Sequence, residues 1–213
     1  MRALGPLRVD RADGQILRWG GEKAGSRQAE ALFAFLFDRG ERGIAKDEAL
    51  ELIWPDVEIE RADLAFHRTL RGLRTTLDPK GGGREIIRHS NDRYRLDMAI
   101  IDWSDVDEFA SRLDRAGRAG DPAEALALLH GARSLYRGDF LDDCPFYGDS
   151  AFVEPRRAAL RSRYVDLLLA KGEASEVRGD RVSAAAVYRD AIEVDANGCP
   201  PAQAGLTRLG LGA

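Results

Sequence analysis

Apolar residues recur along the first hundred positions with two different periods. Residues 3–9 (ALGPLRV) and 15–19 (QILRW) have strand character, and Asp13-Gly14 between them suits a tight turn, because glycine accepts the positive φ such turns require. Over residues 27–38 the period becomes helical: Ala29, Leu32, Phe33, Leu36 and Phe37 share a face, Ser26 is the expected cap, and Gly40 and Gly43 end the run. A second helix is predicted over 46–54, with Ala49, Leu50, Ile53 and Trp54 turned inward and Pro55 as its stop. A third covers 60–77, where Phe66, Leu70, Leu73 and Leu77 form one buried stripe. EIIRHS and RYRLD then read as two short strands around Ser90-Asn91-Asp92. The Gly81-Gly82-Gly83 run before them lacks the Lys-Ser/Thr of a phosphate loop and is expected to be a flexible connector.

Strand signals fade after residue 103. A helix is expected to begin at Ser104, with Asp107 three residues on and Val106, Phe109 and Leu113 inward. Further helices are expected at 122–136 and 151–172, and a helix pair at 173–195. An aperiodic loop, RGDFLDDCPFYGD, precedes the 151–172 helix. Two segments repeat: Gly120-Asp121 is followed by Ala125, Leu129 and Ala132, and Gly179-Asp180 by Ala184, Tyr188 and Ala191, at matching offsets. Small residues so placed let paired helices pack closely, as in the second helix of a tetratricopeptide repeat, and Gly172 and Asp195 suit the same pattern. The fold expected is therefore α+β, a winged helix-turn-helix over 1–100, followed by an all-α tetratricopeptide-like repeat over 101–213.

Composition narrows the function. No run approaches the roughly 18 apolar residues of a membrane span, and the start has no signal-peptide architecture. A cytoplasmic protein with no membrane partner is expected. Cys144 and Cys199 are the two cysteines, too few for a disulfide framework or a CxxC knuckle, and they are expected to be free thiols. The net charge of −4 argues against affinity of the whole chain for nucleic acid, but the charge is unevenly spread. Between residues 61 and 95, Arg61, Arg68, Arg71, Arg74, Lys80, Arg84, Arg88, Arg93 and Arg95 face only Asp63, Asp78, Glu85 and Asp92, and His67 and His89 fall in the same window.

Basic residues on an amphipathic helix ordinarily make only a solvated face. Here the order of elements selects another use: helix, helix, basic helix, basic hairpin. Such a third helix fits the major groove, where arginine reaches guanine edges or phosphates, and the hairpin lies on the backbone or in the minor groove. Arg71 and Arg74 are expected to matter most. Asp63 opposes phosphate, and Leu64 suits either a thymine methyl or packing under another element.

Other clusters read as structural. Asp102, Asp105, Asp107 and Glu108 suit helix capping and dipole compensation, since no EF-hand loop surrounds them. Asp139, Asp142 and Asp143 read as a solvated acidic turn. His67, His89 and His130 have no ligand spacing, and no nucleophile has a base at motif spacing, so no metal, cofactor or enzymatic activity is expected.

LGPLRV, GIAKDEALELIWPD, LRGLRTTLD and RYRLD together resemble the OmpR-type winged helix of antibiotic regulatory protein-type transcription regulators. VDEFASRL, ALALLHGARSLYRGDFL, AFVEPRRAALRSRYVDLL and GDRVSAAAVYRDAIEVD resemble the bacterial transcriptional activator domain fused to it. The resemblance implies a cytoplasmic activator that binds double-stranded DNA, dimerises on direct repeats and contacts RNA polymerase. Carried over by position, His67, Arg68, Arg71, Arg74 and Thr75 of the third helix face DNA, and Arg88, His89, Asn91 and Arg93 belong to the wing. Two departures stand out: relatives often carry a basic or amide residue near Asp63, and longer relatives continue with more helices beyond Asp195. A second reading makes the helical half the working part, a sensor of a small-molecule or protein effector that controls the winged helix or outlasts its degeneration.

Overall fold

The computed structural model describes residues 1–19, 24–79, 85–195 and 197–211. The Gly81–Gly83 connector, with Lys80 and Arg84, lies outside the described residues. The protein is mostly helical with one small antiparallel sheet. It divides into two compact units, Met1–Ser104 with Phe140–Glu154, and Asp105–Asp139 with Pro155–Ala213. Among the described residues no helix is long and apolar enough to cross a membrane.

At the centre of the first unit is α1 (Ala24–Arg39), whose residues Ala31 to Phe37 are all buried. A helix apolar all round must be covered all round. One cover is the aperiodic segment 140–154: Phe140 meets Phe37 at 6.2 Å between ring centroids, and Tyr147 and Phe152 each meet Phe35 at 5.1 Å. Leu141 donates its N–H to the Ala3 carbonyl, 2.8 Å away. The helix begins at Ala24, so Ser26 lies in its first turn rather than ahead of it.

The N-terminal run does not make the two strands its alternation suggests. Isolated bridges tie Arg2 to Arg8, Asp10 to Ile16, and Leu4 and Gly5 to Phe140. Pro6 offers no backbone donor and Gly5 sits at φ 107, so no ladder extends through them. The turn forms as expected, Gly14 at φ 79 donating to the Arg11 carbonyl at 2.9 Å.

Glu30 lies on α1, half-buried. Desolvation and, after it, the nearby Asp143 push its carboxyl up to about 7, with Arg27 opposing. An unfolded glutamate ionises near its ordinary value, so the folded unit is penalised as pH rises from about 4.5 to 7. Glu30→Gln is therefore expected to stabilise the protein at pH 8. Half-exposure reduces the full linkage to about 1–2 kcal/mol. Denaturant melts at pH 8 and pH 4.5 check this, the gain vanishing at the lower pH; equal effects at both pH values refute it.

Past α1 come a 3-10 turn (Gly40–Arg42), β1 (Ile44–Ala45), α2 (Lys46–Ile53) and α3 (Ile59–Leu77). Ala62, Phe66, Thr69, Leu70 and Leu73 are the buried stripe of α3, and Leu77 is half-buried. β2 (Ile87–Ser90) and β3 (Arg93–Leu96) form the hairpin, with Ser90 opposite Arg93. Asn91 and Asp92 have φ 52 and 55, the two positive values of the twist-matched two-residue turn. β1 adds to the other edge of β3, giving the order β1-β3-β2. No pattern in the chain announces β1, because two residues carry no periodicity.

The second unit contains α4 (Asp105–Ala116), α5 (Pro122–Leu135), α6 (Glu154–Val177, from Pro155 on), α7 (Arg181–Val194) and α8 (Pro200–Arg208). Asp121 and Asp180, the matched residues of the two similar segments, cap α5 and α7, accepting from Ala123 N–H at 2.9 Å and Ser183 N–H at 3.0 Å. Tyr188 lies between two glycines. A Cβ on Gly172 or Gly205 would come within 2.4 or 2.5 Å of its ring. The pair expected over 173–195 is instead the last turns of α6 followed by α7. α8 lies beyond the helices expected from sequence; it opens on Pro200-Pro201, and proline suits the first helical positions, where N–H groups lack partners anyway. Asp139 is not merely solvated, since it accepts from the Tyr136 hydroxyl at 3.0 Å and pairs with Arg161. Asp105 is buried and meets Arg137 at 3.1 Å.

Candidate nucleic-acid interface

Helical spacing places Leu64, Arg68, Arg71 and Thr75 along one outward stripe of α3, with His67 beside it. All five are exposed, and Leu64, 71% exposed, is not packed under another element of its unit. Arg68 and Arg71 have no ion pair among the described residues. Thr75 donates its hydroxyl to the Arg71 carbonyl at 3.1 Å, which leaves the hydroxyl oxygen free to accept.

Asp63, at the start of this stripe, is neutralised from α2. The Lys46 ammonium donates to it at 2.6 Å, and His67 Nε2 lies 3.6 Å from its other oxygen. That hydrogen bond holds the Asp63 carboxyl below, and the Lys46 ammonium above, their usual ranges. Lys46 escaped the sequence reading because the pairing joins residues 17 apart on two helices.

Arg74 points elsewhere. Half-buried, it donates to the Ile87 carbonyl at 2.7 Å and ties the end of α3 to β2. Arg93 also faces its own protein, donating to the Gly43 carbonyl at 3.1 Å and lying 3.4 Å from Glu48 Oε2. Glu48 in turn accepts from the Ala45 N–H at 2.7 Å, so Arg93 stitches β3 to β1 and to the start of α2. Arg95 spans the hairpin, from the Glu41 carbonyl at 2.9 Å to the Ser90 carbonyl at 2.9 Å.

On the hairpin itself, Arg88, His89 and Asn91 are exposed. Arg88 lies 3.7 Å from Asp97 and is 57% exposed along its side chain, a loose surface pair. His89 stacks on Tyr94 at 4.3 Å and 18° between planes, and Tyr94 meets the edge of Phe66 at 5.1 Å. Tyr94, which is not among the site residues expected from sequence, thus couples the hairpin surface to the core of α3. The nine residues singled out from sequence divide accordingly. His67, Arg68, Arg71, Thr75, Arg88, His89 and Asn91 are presented outward, whereas Arg74 and Arg93 hold the scaffold that presents them.

Residues 101–196 match the bacterial transcriptional activator domain family. Over 147 residues the chain is 30% identical to Regulatory protein AfsR of Streptomyces coelicolor, a match covering 67% of this chain and 14% of that protein. In fold it is similar to Mycobacterium tuberculosis EmbR, solved in complex with a low affinity phosphopeptide. The TM-score is 0.64 at 21% identity, covering 97% of this chain and 63% of that one. The chain thus spans a small part of the first relative and under two thirds of the second.

Proposed function

We propose that this chain, which is of the antibiotic regulatory protein type and carries a bacterial transcriptional activator domain over residues 101–196, is a sequence-specific DNA-binding activator of transcription. In this reading residues 1–100 are an OmpR-type winged helix-turn-helix and 101–213 a tetratricopeptide-like activator module. The observation that supports it is the exposure of Arg68 and Arg71, without an ion pair among the described residues, on a helix flanked by an exposed hairpin. The major groove, about 12 Å wide, admits such a helix. Arg68 and Arg71 reach guanine edges or phosphates, and Leu64 suits a thymine methyl. Arg88, His89 and Asn91 lie along the backbone or minor groove. RNA polymerase and a second copy of the chain are the protein partners of this reading, and the cytoplasm is its compartment.

Selection of genomic fragments by the purified full chain tests it. Discrete fragments are expected, with affinity falling steeply as salt rises because bound phosphates release counterions. No enrichment, or an affinity indifferent to salt, refutes it.

A second reading rests on the helical unit, where α4, α5 and α6 border a groove of about 480 Å³ lined by Leu113, Leu126, Leu129, Leu167 and Ala170. Its size and apolar walls suit a small effector. In the same binding assay, an effector that changes fragment affinity favours this reading, and affinity unchanged by every candidate leaves the first alone.

A further inference from the structure

Thr69 is 7% exposed on α3, yet its hydroxyl has no hydrogen bond among the described residues. Thr75 and Thr207 show the usual recourse of a helical threonine, donating to the carbonyl four residues back. Trp54, 5% exposed at the end of α2, likewise has no hydrogen bond from its indole N–H among the described residues. Buried polar groups ordinarily find partners, and those that do not call for a reason. Both residues line one groove of about 540 Å³ in the first unit, bordered by the start of α1, the end of α2 and a flank of α3. Trp19, its ring 5.0 Å from that of Phe33, and the half-buried Gln28 line it too. Arg68 is the charged residue of the lining, exposed and without an ion pair, and no carboxylate accompanies it among the described residues. Gly72 leaves the groove open: a Cβ there would meet nothing within 4 Å.

We propose that this groove binds a planar aromatic carboxylic acid, its ring against Trp19 and Trp54 and its carboxylate accepting from Arg68 and Thr69. The volume is that of a small-molecule site. The guanidinium, indole N–H, hydroxyl and amide are all donors, which complement the oxygens of an anion, and the indole rings complement a flat apolar body. Arg68 also stands on the outward stripe of α3, so ligand and duplex compete for one guanidinium. That competition rests on the DNA-binding reading, whereas the site itself does not.

The test is a calorimetric titration of the full chain with naphthoate, beside the neutral naphthamide. One saturable site is expected for the acid, with the amide about tenfold weaker, the scale of one charge-assisted hydrogen bond. Thr69→Val keeps the shape and deletes the hydroxyl. It is expected to weaken naphthoate about tenfold without lowering the melting temperature, since no hydrogen bond within the protein is lost. Gly72→Leu replaces a poor helix former by a good one and fills the groove, so it is expected to abolish binding in a folded chain. Absence of saturable binding, or equal affinity for acid and amide, overturns the proposal. So does full binding in Gly72→Leu, which assigns the ligand to the groove of the second unit. Saturating naphthoate is also expected to lower affinity for a selected genomic fragment about tenfold, and an unchanged affinity refutes the sharing of Arg68. If the chain selects no fragment, the DNA-binding reading fails while the calorimetry still decides the site.

Discussion

Replacing Arg68 and Arg71 together by alanine is expected to lower affinity for a selected genomic fragment about a hundredfold, from roughly 1–3 kcal/mol per arginine contact. The protein's stability is expected to stay within about 0.5 kcal/mol, because both side chains are exposed and neither has an ion pair among the described residues to lose. Salt titration separates the two kinds of contact. If both arginines neutralise phosphates, the slope of log affinity against log salt falls by about 2, and weakening is uniform across fragments. If they read guanine, selectivity relaxes at particular positions instead. The informative comparison is Arg74→Ala. Its guanidinium satisfies the Ile87 carbonyl, so its loss is expected to cost about 1.5–3 kcal/mol of stability, with binding affected only through the displaced hairpin. A double variant of Arg68 and Arg71 that binds as tightly as the unaltered chain would sink the proposed interface. So would loss of binding that follows unfolding in every variant.

The contrast between Arg71 and Arg74 marks what the sequence could convey. Periodicity located α1, α2 and α3 within a few residues, and the turn residues located the hairpin, because each depends on contacts close along the chain. Charge density located the basic window for the same reason. It did not reveal which arginines point outward. Arg74 lies three residues from Arg71 on the same helix, but its position beside β2 depends on how the hairpin folds back over α3. Arg93 is turned inward by Glu48, 45 residues away, and Asp63 is offset by Lys46 on another helix. The segment 140–154 belongs with the first unit although residues 101–196 match one family. Its lack of period was visible, but its destination, the rings of Phe35 and Phe37, was set by long-range packing. The isolated Pro6 and the paired Pro200-Pro201 show the remaining ambiguity: proline ended a ladder in one place and opened a helix in the other.

Gly43→Ala is expected to be the most damaging single change in the first unit, lowering its stability by at least about 3 kcal/mol. Gly43 has φ 65 and ψ −179, a region essentially confined to glycine. An added Cβ would stand 2.6 Å from the Tyr94 carbonyl oxygen and 2.6 Å from Arg95 Cγ. The arginine stem can shift, but the carbonyl cannot, because Tyr94 is paired to Ile44 in the β1–β3 ladder. Relief therefore requires β3 to move away from β1. That movement breaks the Arg93 bond to the Gly43 carbonyl and disturbs the stack of His89 on Tyr94. Trp19, Trp54 and Trp103 are the three tryptophans and all lie in the first unit, so tryptophan fluorescence reports its unfolding separately from the helical unit. A drop in the fluorescence midpoint of about 10 °C is expected, scaled from the size of such a unit. Circular dichroism should meanwhile show the helices of the second unit melting where they did before. An unchanged fluorescence midpoint would mean that β3 does not lie where the backbone of Gly43 requires a missing side chain. The outward placement of Arg88, His89 and Asn91 would then lose its basis.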